Sequence, residues 1–138
     1  MKKRLLIASL AIIALVRCGF GPSTSSETRG DVFASAFAEH RGNFAAEGVG
    51  NVSRILPDDN EGSRHQRFIV TLSSGQTILI AHNIDLAPRV EGLVVGDSIS
   101  FKGEYEWSNK GGVMPWTHRD PAGWHQAGWI RYHGKTYQ

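Results

Sequence analysis

The sequence predicts a mainly β domain: a small, OB-like, five-stranded and partly open barrel with one N-terminal amphipathic helix. Three observations predict it. Apolar residues recur at helical spacing over residues 31–42, and from Gly48 onward they fall in short runs of period two separated by turn residues. Cys18 is the single cysteine, so no disulfide framework holds the chain and its 138 residues must bury a core of their own, enough for one domain.

The elements follow in order. Asp31 is the expected N-cap of the helix, Val32, Phe33, Ala36 and Phe37, continued by His40, form its apolar face, and Gly42 is its stop. Three strands then form a meander over 49–56, 66–72 and 77–82. Phe68, Val70 and Leu72 alternate with polar residues in the second, and Ile78 and Ile80 share a face of the third. Pro57-Asp58-Asp59-Asn60-Glu61-Gly62 is the loop between the first two strands, and Ser73-Ser74-Gly75 is a hairpin turn between the last two. Pro88 and Gly92 break the alternation over 85–96, and Gly96-Asp97 turns the chain into the cleanest half-buried strand. There Ile99, Phe101, Gly103, Tyr105 and Trp107 face one way, while Ser98, Ser100, Lys102, Glu104 and Glu106 face the other. Residues 108–128 are rich in Gly, Pro, Trp and His without a period; 129–132 read as the last strand, and His133-Gly134-Lys135 as a tight turn before Tyr137. Trp107 and Trp129, on strand faces, are expected in the core.

The charge is divided along the chain. Lys2, Lys3, Arg4 and Arg17 lie in the first seventeen positions, whereas every acidic residue lies from Glu27 onward. The formal charge of +2 thus becomes −2 once the leader is set aside, with 11 basic against 13 acidic residues. Bulk nucleic-acid binding is an unexpected partner class for such a domain. Lys2-Lys3-Arg4 followed by the apolar run of 12 residues over 5–16, interrupted only by Ser9, reads as a signal peptide and is short for a spanning helix. Cys18 sits where a lipoprotein carries its lipid, although Arg17 occupies a position that normally takes a small residue. The expected organisation is a signal-peptide or lipoprotein-type leader over 1–18, a flexible tether over 19–30, and one globular domain over 31–138 with helix 31–42 and barrel 48–138. It places the domain outside the cytoplasm, in the periplasm, anchored in the envelope or secreted, touching membrane only through the leader or a lipid.

Four blocks carry a resemblance. Leu56-Pro57-Asp58-Asp59-Asn60-Glu61-Gly62-Ser63-Arg64-His65-Gln66-Arg67-Phe68, Ile80-Ala81-His82-Asn83-Ile84-Asp85-Leu86-Ala87-Pro88-Arg89, Gly103-Glu104-Tyr105-Glu106-Trp107 and Trp116-Thr117-His118-Arg119-Asp120-Pro121 resemble a family of small exported bacterial proteins, the domain of unknown function 3465. The likeness runs from about Gly48 to the C-terminus and implies a shared fold without a reaction. The family's tryptophan block is similar to His-Trp-Thr-His-His-Asp-Pro, whereas Pro115 and Arg119 stand here at two of its histidines.

Function is sought where polar residues gather at strand ends and loops. His65 enters the second strand, His82 leaves the third, and His118 and His125 lie in the long loop, so four imidazoles would share one rim. Such a set would suit zinc or another divalent metal, with Asp85, Glu104 or Asp120 completing the shell; the bland reading is that they hydrogen-bond irregular loops. Ile84-Asp85-Leu86-Ala87-Pro88-Arg89 is similar to a stretch of the staphylococcal-nuclease-like OB enzymes, which implies Asp85 as a metal ligand, Arg89 or Arg67 as a phosphate clamp and Glu104 as a base. Arg89 replaces the acidic residue of that stretch, and a capped turn is the plainer account. Glu104 and Glu106 beside Lys102 are an acid/base pair or, by preference, a solvated face. Trp116 and Trp124, among His118, Arg119, Asp120, His125 and Gln126, would stack on a sugar or base unless they plug the barrel.

The expected function is an envelope-associated binding module for a polar ligand (glycan, nucleotide or other anion), centred on His65, His82, Asn83, Asp85, Arg89, Trp116, His118 and Asp120. The alternative is a metal-dependent hydrolase, a phosphodiesterase or nuclease, with metal on His65, His82, His118 and His125.

Overall fold

The computed structural model describes residues 26–138, so the leader, Cys18 and the first part of the tether lie outside the described residues. Among the described residues a single helix, α1 (Ser26–Ala38), precedes seven strands: β1 (Phe44–Ile55), β2 (His65–Leu72), β3 (Thr77–Asn83), β4 (Ser98–Tyr105), β5 (Val113–Met114), β6 (Trp129–Tyr132) and β7 (Lys135–Tyr137). They form one sheet of order β5-β3-β2-β1-β4-β6-β7. All pairs are antiparallel except β3 with β5. The expected mainly β architecture with one helix is present, with seven strands rather than five. No helix among the described residues is long and apolar enough to cross a membrane.

The departures have local causes. The helix ends at Ala38 because His40 adopts φ 53°, letting Arg41 N–H reach the Ala36 carbonyl at 2.8 Å and His40 N–H the Phe37 carbonyl at 3.3 Å. These two bonds make a Schellman cap built on histidine, and Gly42 is not needed as a stop. The helix also starts at Ser26, inside the stretch expected to be tether. Strand β1 begins at Phe44 rather than 49 because its inward positions there are Ala46, Gly48 and Gly50, which give no apolar alternation to read. Its register with β4, from Phe44 opposite Tyr105 to Asn51 opposite Ser98, supplies the order instead. Strand β5 is two residues long and parallel to β3, so no period could reveal it within residues 108–128. Glu106 and Val113 exchange backbone hydrogen bonds of 2.9 and 2.8 Å, joining the end of β4 to β5.

Burial explains the assembly. Phe68 and Val70 of β2, Ile78 and Ile80 of β3, Ile99, Phe101 and Tyr105 of β4, Met114 and Ile130 all point inward and are buried. Phe33 of α1 enters this core, its ring 5.5 Å from Tyr105 and 6.2 Å from Phe101. Trp107, expected in the core, lies past the end of β4 and is half-buried; its indole N–H donates to the Phe37 carbonyl at 3.1 Å and so fastens α1 to the sheet. Trp129, also expected inside, is half-buried on the outer face of β6.

Candidate functional site

The segment 114–118 decides where each candidate side chain goes. Glu104 N–H donates to the Pro115 carbonyl at 3.0 Å and Gly128 N–H to the His118 carbonyl at 2.9 Å, so the segment is tied to β4 on one side and to the start of β6 on the other. Both neighbours must be glycine. A Cβ on Gly103 would meet the Pro115 carbonyl oxygen, and one on Gly128 would meet the carbonyl oxygens of Trp116 and Lys102. Trp116 itself has φ 59°, a left-handed conformation uncommon for a bulky residue. The result is a divided segment: Thr117 and His118 are buried, and Trp116 reaches an outer groove.

The inward side chains form a closed polar belt. His82 is 0% exposed, with Nε2 2.9 Å from the Pro88 carbonyl and Nδ1 2.8 Å from Thr117 Oγ1. A carbonyl only accepts, so Nε2 carries the proton, donates to Pro88, and Nδ1 accepts from the threonine hydroxyl. Burial holds the His82 pKa below its ordinary value, and the neighbouring charges of His118 and His65 push the same way. His118, 3% exposed, donates from Nδ1 to its neighbour's carbonyl at Arg119, 2.6 Å away. Asn83 Oδ1 accepts the Asp85 N–H at 2.9 Å, whereas His65 lies outside this belt, at an outward position of β2, where its Nδ1 donates to the Ser63 carbonyl at 2.8 Å.

The charged members of the expected rim are also engaged. Asp85 accepts the Arg64 backbone N–H and Nε, each at 2.8 Å, and the first of these bonds leads in lowering its pKa. Arg89 is ion-paired with Asp58. Asp120 accepts N–H groups of Ala122, Trp124 and His125, each at 2.9 Å, and this lowers its pKa, the His125 bond first. His125 is elsewhere: its Nδ1 is 3.3 Å from Glu104 Oε2 and its ring stacks on Trp116 at 3.8 Å and 13°. The four-histidine metal shell expected from the sequence is therefore not assembled. Among the described residues no group of three or more His, Cys, Asp or Glu side chains is placed to hold a metal ion. Both His82 nitrogens are occupied, and His125 is drawn to the groove.

What the structure does bring together is an outer groove of ≈ 490 Å³, lined among others by Asn43, Glu104, Trp116, Trp124, His125 and Gln126. Trp124 is 87% exposed. No Lys or Arg lines the groove; its titratable lining is the Glu104–His125 pair, so it offers indole faces, amides and one carboxylate. That is the equipment for stacking a ring and hydrogen-bonding its hydroxyls. Of the expected ligand-binding residues only Trp116 is here, joined by His125 from the expected metal set. Glu104 read as a solvated face and Asn43 carried no signal, since it reaches the groove through a left-handed turn, φ 64°, tied to β4 by an N–H donated to the Tyr105 carbonyl at 2.8 Å.

A search of curated proteins finds no match to the chain. Residues 15–138 match the family described as "Protein of unknown function (DUF3465)", so the four sequence blocks, the sheet they build and the groove beside them are those of a chain that belongs to this family.

Proposed function

We propose that this chain is a glycan-binding module. The observation that carries the reading is the groove: Trp124, a tryptophan 87% exposed, lines it with the Trp116–His125 stack, and Glu104, Asn43 and Gln126 supply acceptors and donors beside them. Exposing so much of a tryptophan costs hydrophobic free energy that a stacked sugar ring would recover. The carboxylate and the lack of lining Lys or Arg favour neutral sugar rings over a nucleotide or other anion in the groove.

The finer fold reading is OB-like. The order β5-β3-β2-β1-β4, the parallel β3–β5 pair and the Glu106–Val113 bridge support it, because together they lay five strands in a circuit with β5 next to both β3 and β4. OB folds commonly hold oligosaccharides or oligonucleotides. Export to the envelope is proposed from Lys2-Lys3-Arg4, the apolar run and Cys18, and fractionation of cells expressing the Cys18→Ala chain tests the lipid anchor. A hydrolase on the rim gains less support, since Arg89 is held by Asp58 and both His82 nitrogens are in use.

Glycan-array binding of the wild type and Trp124→Ala tests the module. We expect the variant to lose about tenfold or more in affinity with its stability unchanged. Equal binding by both chains overturns the reading.

A further inference from the structure

We infer that the ligand is an acidic oligosaccharide whose neutral rings occupy the groove and whose carboxylate lies over Arg131; this rests on the glycan reading above. The site does not end at Glu104. Lys102, two residues along β4 on the same outer face, is the register partner of Trp129, so Trp129 is the diagonal neighbour of Glu104 across the β4–β6 pair. Gly128, directly before Trp129, lies against the Trp116 carbonyl, which makes groove and Trp129 contiguous. Beyond Trp129 on the same face is Arg131, register partner of Ser100.

Arg131 is exposed and stacks on the Trp129 ring with its guanidinium carbon 3.8 Å from the centroid. A guanidinium held flat on an indole keeps its N–H edge free for a carboxylate. Among the described residues no ion pair engages Arg131, and Lys102 is in register with the acidic Glu47 on β1 and has no indole beneath it to hold it flat. The anchor is therefore Arg131. From Glu104 to Ser100 the strand advances roughly 14 Å, longer than one sugar ring can bridge. Charge changes sign along that path, from Glu104 at the groove to Arg131 at the far end, so the complementary ligand is a chain with its acid away from the ring seated between the tryptophans.

Titration calorimetry with chitobiose, chitotetraose, a hyaluronan tetrasaccharide and a twelve-residue thymidine oligonucleotide tests this. Chitotetraose should bind more tightly than chitobiose, and the hyaluronan tetrasaccharide about tenfold more tightly than chitotetraose. Arg131→Gln should abolish the advantage of the acidic chain and leave chitobiose unchanged. Trp129→Leu should bring both tetrasaccharides down to the chitobiose level. If chitobiose binds and Trp124→Ala weakens it, but the acidic chain has no advantage or keeps it in Arg131→Gln, the extension is wrong and the groove stands. If no sugar binds and Trp124→Ala is silent, both readings fall. Tighter binding of the oligonucleotide than of any sugar overturns the inference in favour of a nucleic-acid surface.

Discussion

Two regions built from the same short segment use their polar side chains in opposite ways. In the belt, His82, Thr117, Asn83 and His118 are buried and each has a partner; in the groove a few angstroms of chain away, Trp124 is bare and Glu104, His125 and the amides line open space. A buried donor or acceptor must be satisfied by the fold, and each bond so made is one withheld from a ligand. The residues with the loudest chemistry in the sequence are thus the ones the fold uses to pin loop 85–90 and segment 115–118 to β3. Function is more economically sought where apolar area remains exposed beside polar groups.

The comparison breaks most severely at Gly128, which serves both regions. An alanine there would drive its Cβ into two carbonyl oxygens, neither able to yield like a flexible side chain. Gly128→Ala should cost about 3 kcal/mol in urea unfolding and weaken glycan binding as well, because Trp116 and Thr117 are displaced together. A neutral result in both measurements would show that 116–118 is not anchored there. His82→Leu separates the regions instead. It leaves the buried Thr117 Oγ1 without its partner and the Pro88 carbonyl without its donor, so about 2 kcal/mol of stability should be lost while sugar affinity in the folded protein stays within about twofold of wild type. Loss of affinity at full foldedness would place the belt inside the site.

Much of the fold was legible before the structure. The alternation in β2, β3 and β4 follows from a face that must be buried, and these strands stand within two residues of their expected bounds. What escaped was whatever has no side-chain pattern: the Ala46, Gly48 and Gly50 face of β1, the two residues of β5, and a helix cap made by His40 rather than glycine. The site was half legible for a related reason. A tryptophan-rich aperiodic loop marked the region, but whether an imidazole turns inward or outward depends on the backbone sign at Trp116 and on glycines at 103 and 128, which only the packing reveals.

Acid sharpens the contrast without any substitution. The folded pKa of His82 lies below its ordinary 6.5, so below that pH the unfolded chain takes up a proton that the folded chain refuses. Stability supplied by the belt is complete above pH 6.5 and declines as the pH falls toward the folded value. Asp85, Asp97 and Asp120 are also lowered, led respectively by the Arg64 N–H, the Tyr132 hydroxyl and the His125 N–H, but their contribution is kept until roughly pH 4 and lost beneath it. Melting temperature should therefore begin to fall as the pH drops below 6.5, before the aspartates titrate, and that first decline should be absent in His82→Leu. An unchanged slope in the variant would assign the early decline to another group.

The smallest expected effect tests whether an arginine of the old rim belongs to either region. Arg89 and Asp58 pair at the surface, with their side chains 40% and 29% exposed, where solvent and salt screen most of the attraction. Arg89→Gln should lower stability by about 0.5 kcal/mol at low salt and by less at high salt. Sugar affinity should not move, because Arg89 is not among the residues lining the groove. A tenfold loss of affinity in this variant would reverse the division drawn between the regions: the anion-binding end of the site would then lie at the 85–90 loop, and Arg131 on its tryptophan would be ornamental.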